Sequence, residues 1–163
     1  MRRTARWLVT LSVGVLMWSP GATSADDHDK LPAGPIRDRH ELMEAQGEQA
    51  EDINEALTAD AEGEQTGVVQ REAQAIALSA ARIPSLFPKG STDPTSRALP
   101  AIWENWDKFV QLSKQLQEQA TALSNAAGSG TDEPLKDKAQ KMFGTCKACH
   151  DQFRRPKEQG KGH

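Results

Sequence analysis

Five consecutive residues near the C-terminus, Cys146-Lys147-Ala148-Cys149-His150, restrict what this 163-residue chain can fold around more than any other feature. The pattern is C-x-x-C-H, which offers two thiols and an imidazole within little more than one helical turn. On a helix Cys146 and Cys149 stand three apart on one flank, so both sulfurs can reach the two vinyl groups along one porphyrin edge. His150 follows at once and can give a ring nitrogen to iron. The motif predicts one covalent haem c, held by Cys146 and Cys149 and ligated by His150.

Three other readings compete for these residues. A thioredoxin-like dithiol motif normally opens a helix after a strand, and no strand pattern precedes Cys146. Zinc wants about four ligands, and His28, His40 and His163 show no paired spacing with the cysteines. A disulfide between residues three apart closes too small a loop to add much stability.

The N-terminus points the same way. Arg2, Arg3 and Arg6 precede an apolar run from Trp7 to Trp18, and Gly21-Ala22-Thr23-Ser24-Ala25 ends in small residues. This reads as a secretory signal peptide over residues 1–25, with an apolar stretch too short to span a bilayer. Export agrees with the motif, because C-x-x-C-H haem attachment takes place outside the cytoplasm. The expected location is the periplasm, with no membrane span after cleavage.

Residues 26–163 form one domain of ordinary size. Tyr is absent, and Ala, Glu, Gln, Leu and Lys dominate, so the chain reads as all-α. A first helix is predicted from about Pro35 to Leu57, with Ile36, Met43, Ala50 and Leu57 seven apart and Ile53 on the same stripe. Thr58 to Thr66 reads as a loop, and a second helix from about Val68 to Ile83 carries Val69, Ala73, Ile76 and Ala80. Pro84, Pro88, Pro94 and Pro100 then exclude a continuous helix and mark a long crossover. A third helix begins near Pro100, places Trp103, Trp106 and Phe109 on one core-facing side, and ends at Gly128-Ser129-Gly130. The fourth runs from about Pro134 to Phe153, with Thr131 or Asp132 as its cap, and bears the haem motif. Together these predict an antiparallel up-and-down four-helix bundle around the haem.

With these residues in view, the chain resembles the class II cytochromes c, the cytochrome c′ superfamily. The resemblance rests on Arg39-x-x-x-Met43 with Gly47, on Leu86-Phe87-Pro88-Lys89-Gly90-Ser91, on Ile102-Trp103-x-x-Trp106-x-x-Phe109, and on the terminal motif continuing to Phe153-Arg154. In class I cytochromes c the haem motif lies near the N-terminus instead. The resemblance implies a choice at the sixth iron position. Low-spin members use a first-helix Met, which here is Met43, and carry electrons; five-coordinate members leave that side open to small gases such as nitric oxide. The expected function is a periplasmic monohaem electron carrier with His150/Met43 ligation. The alternative is a five-coordinate gas-binding cytochrome c′, and a thiol-disulfide oxidoreductase is a third reading. His40 is a further candidate for the sixth position. Arg39 is a candidate partner for a haem propionate and Arg154 for a haem contact, each with a plain surface charge as its alternative. The resemblance also implies a non-enzyme and a homodimer through the first two helices.

Charge adds a partner. From Leu135 onward eight Lys or Arg face three acidic residues, whereas Asp26 to Pro134 carries nine against twenty. Lys141, Lys147, Arg154 and Arg155 could steer an acidic redox protein to the haem edge. The acidity of the rest, with export, disfavours nucleic acid.

Overall fold

The computed structural model describes residues 31–59, 64–129 and 134–156. The expected signal peptide, and Thr131 and Asp132 as candidate caps, lie outside the described residues.

Among the described residues five α-helices follow one another: α1 Pro35–Thr58, α2 Glu64–Ala80, the short α3 Ala101–Glu104, α4 Trp106–Ser129 and α5 Leu135–Phe153. The four long ones make the antiparallel up-and-down bundle that the periodicity predicts. Pro35 opens α1 at a position where its missing N–H costs nothing, after Gly34 at φ 98°, a left-handed backbone that favours glycine. α2 begins at Glu64, four residues earlier than expected. It is followed by a 3₁₀ turn, Ile83–Leu86, built on Pro84. α5 starts after Pro134, which stands at the cap without a side-chain hydrogen bond.

The third predicted helix is broken. Asn105 leaves helical geometry at φ −123°, ψ 45°, and this separates α3 from α4. Trp103 and Trp106 therefore do not share a continuous helix face. Trp103 is half-buried and its Nε1 donates to the Phe87 carbonyl at 3.1 Å, whereas Trp106 is 36% exposed. Only Phe109 of that trio is core, 2% exposed.

α2 packs most extensively on α4, then α1 on α2 and α4 on α5, while the contact between α1 and α5 is far sparser. The α2–α4 seam is lined by Ala73, Ala77, Ala80 and Ala120, small enough for hydroxyls to cross it. Ser113 Oγ donates to the Ala80 carbonyl at 2.8 Å and Ser124 Oγ to the Gln70 carbonyl at 2.9 Å. The sparse α1–α5 contact leaves a gap walled by α1, the crossover and α5, and the site lies there. The α1 stripe is turned accordingly: Arg39, Leu42, Gln46 and Ile53 are buried, and Met43 and Ala50 flank them half-buried. No described helix is long and apolar enough to cross a membrane.

Candidate functional site

A cavity of about 510 Å³ opens between α1, the crossover and α5, within the range expected for a bound organic cofactor. Its apolar walls include Leu31, Ile36, Phe87, Ile102, Phe109 and Phe153. Three of these rings are locked edge to face: Phe87 on Phe109 at 4.8 Å between centroids, and Phe109 on Phe153 at 5.4 Å.

α5 brings Cys149 and His150 to this cavity, and Arg154 lies one turn further on. Cys146 does not border the space. It stands one turn before Cys149, half-buried against the core. Both cysteines are free thiols. Burial raises the Cys146 thiol, and burial with the neighbouring Cys146 raises Cys149 to about 11. Reactive dithiol centres need the opposite shift, so this environment does not suit the thiol-oxidoreductase reading. Among the described residues no three His, Cys, Asp or Glu side chains converge as a zinc site would need.

His150 is held well below the usual imidazole range, at about 4, by burial first and then by the Arg154 and Arg97 guanidiniums. The ring is therefore neutral at ordinary pH, which is the form that binds a metal. A neutral imidazole, two unpaired thiols on the same helix and an apolar, aromatic-walled cavity beside them fit a covalent haem.

The α1 wall supplies Arg39, His40, Met43 and Glu44. Met43 thus borders the same space as His150. His40 Nε2 lies 3.2 Å from Glu44 Oε1, one turn along the helix. Arg39 is no surface charge: it is 3% exposed. Its Nη1 donates to Ser91 Oγ at 2.9 Å, its Nη2 to the Ser91 carbonyl at 2.8 Å and to Ser96 Oγ at 2.9 Å, and the guanidinium lies 4.7 Å over the Phe87 ring. Burial lowers its pKa and Asp93 partly offsets this.

The crossover is stitched to the end of α5. Leu99 N donates to the Phe153 carbonyl at 3.0 Å, Ala98 and Arg154 form an antiparallel bridge, and Arg155 N donates to the Arg97 carbonyl at 2.8 Å. Arg97 returns the bond from Nε at 3.0 Å and Nη2 at 2.7 Å to the Arg155 carbonyl. Arg155 Nη2 in turn donates to the carbonyls of Pro94, at 2.9 Å, and Ser96. The sequence reading missed Arg97, Ser96 and Leu31 as cavity residues; Arg97 signalled only a charge in a proline-rich stretch.

Compared with known proteins, residues 34–154 match the family model described as cytochrome C′. A cytochrome c′ of Rhodopseudomonas palustris is 39% identical over 124 residues, covering 75% of this chain and 82% of the relative. One from Rhodospirillum rubrum is 30% identical over 151 residues, covering 91% and 97%. The solved structure of cytochrome c′ from Rhodopseudomonas palustris superposes with a TM-score of 0.67 at 34% identity, covering 78% of this chain and 100% of that one.

Proposed function

This chain belongs to the cytochrome c′ family and carries one covalent haem c, and on that premise we propose that it is a periplasmic protein whose haem is open to a small gas on the side facing α1. Cys146 and Cys149 form the thioethers and His150 takes the proximal position. Bound there, the haem iron supplies a one-electron redox couple and an axial site for a ligand. The observation that carries the reading is the shared cavity: His150 and Met43 border one space that Leu31, Ile36, Phe87, Ile102, Phe109 and Phe153 line with aliphatic and aromatic surface. Such walls exclude water and admit a small, weakly polar molecule such as nitric oxide. Arg39, fixed by Ser91, Ser96 and Phe87, is placed to meet a propionate without further ordering.

Residues 1–25 serve as the export signal on this reading. The role is binding and one-electron exchange, with no substrate turnover.

A second reading has its own observation. Because Met43 borders the cavity that His150 enters, its thioether is the side chain for the sixth position of a low-spin electron carrier. An acidic partner would then meet the basic end of α5. There Lys141 is exposed, Lys147 is offset by Asp151 at 2.5 Å, and Arg155 is engaged on the crossover, so Lys141 and Arg154 carry most of the free charge. A second copy would cover the outer face of α2, where Leu78 is 67% exposed.

Titrating the ferrous, haem-loaded protein with nitric oxide tests the first reading. Stoichiometric binding seen in the visible spectrum is expected. No spectral change at a large excess of gas would refute it.

A further inference from the structure

The wall of the haem cavity is unevenly charged. Arg39, Arg97 and Arg154 border it against a single carboxylate, Glu44, which leaves a surplus of two positive charges with histidine counted as neutral. Arg39 is satisfied by Ser91 and Ser96. The other two form a separate pair across the stitched junction, Arg97 on the crossover and Arg154 at the end of α5. The bridge between Ala98 and Arg154 brings them together, and Arg97 is immobilised because Nε and Nη2 both hold the Arg155 carbonyl. Among the described residues Arg97 Nη1 and the whole Arg154 guanidinium make no hydrogen bond. The Arg154 pKa is lowered by burial first and then by Arg97, with Cys149 and Asp151 partly offsetting this. Arg97, fixed, and Arg154, exposed and unbonded, repel at the edge of the cavity, and an anion between them relieves that cost.

We propose that Arg97 and Arg154 form a second carboxylate anchor for the haem, distinct from Arg39, and that this pair biases the iron toward the ferrous state. The inference rests on the haem reading above. Haem carries two ionisable propionates, which match the surplus of two. Arg97 holds its fork in place before the carboxylate arrives, so little side-chain freedom is lost on binding. The ferric cofactor carries one more positive charge than the ferrous one, so cations on the cavity wall favour reduction.

The test is the midpoint potential of the haem-loaded protein as a function of pH. Arg97→Gln is expected to lower the potential and to move the bend in the potential–pH curve upward, because a carboxylate deprived of its cation protonates more readily. Arg154→Gln shifts both in the same direction and serves if Arg97→Gln fails to fold. Arg97→Lys recovers most of the potential. Arg155→Gln breaks the bonds to Pro94 and Ser96 without removing a charge from the cavity wall, and leaves the bend where it was. Wild-type potential and bend in an Arg97→Gln protein that retains its haem spectrum would overturn the anchor. So would an Arg155→Gln protein that shifts as far as Arg97→Gln, since the effect would then belong to the junction's geometry. A wild-type protein that takes up no haem at all would instead refute the haem reading first, and this inference with it.

Discussion

Replacing Arg39 by leucine removes a 3% exposed guanidinium that ties α1 to the crossover. Three hydrogen bonds go, to Ser91 Oγ, the Ser91 carbonyl and Ser96 Oγ, at about 1 kcal/mol net each. The contact over Phe87 adds about 1 kcal/mol for a desolvated cation. Against this, the folded state no longer keeps a charge out of water, which returns part of the loss. The balance is a destabilisation of about 3 kcal/mol, or roughly 10 °C in midpoint for a domain of this size. Lysine does not rescue it, because one ammonium cannot span both serines and lie flat over the ring. Thermal unfolding of haem-loaded wild type, Arg39→Leu and Arg39→Lys, followed by helical circular dichroism, measures this. If Arg39→Lys melts with the wild type, the fork geometry is irrelevant and the reasoning fails. If Arg39→Leu does so, the α1–crossover tie contributes nothing.

Met142 is fully buried, so Met142→Ala is expected to cost about 2–4 kcal/mol by urea unfolding, and a cost below about 1 kcal/mol would contradict the packing of α5 on α4. Thr145 Oγ1 donates to Gln119 Oε1 at 2.7 Å, and Thr145→Val should lose about 1–2 kcal/mol by leaving that acceptor unpaired; an unchanged midpoint would show the bond to be without weight. In the haem-free chain the His150 pKa is depressed on folding to about 4. Protons then bind the unfolded state more readily, so stability is fully present above about pH 6.5 and falls progressively as the pH drops toward 4. His150→Gln should flatten that slope, and a slope that is unchanged would assign it to other groups.

The long helices were legible because apolar spacing and proline positions agree, and the haem motif because its chemistry is local. The break at Asn105 was not, since asparagine is no obligatory helix breaker and no periodicity marks the residue where the backbone leaves helical geometry. Arg39 read equally well as a surface charge because the groups that bury it lie 52 and 57 residues further along, in a loop without periodicity. Arg97 was invisible for the same reason. Met43 was read as one member of the α1 apolar stripe and as the expected sixth iron ligand. It lies at the stripe's flank because the cavity, and not another helix, faces it.

Everything functional turns on what meets the iron opposite His150. The most direct measurement is the spin state of the haem-loaded protein, by absorption and electron paramagnetic resonance, in wild type and Met43→Leu. An open site predicts a high-spin ferric spectrum in the wild type that Met43→Leu leaves high-spin. A low-spin wild type that Met43→Leu converts to high-spin would contradict it and establish Met43 as the sixth ligand.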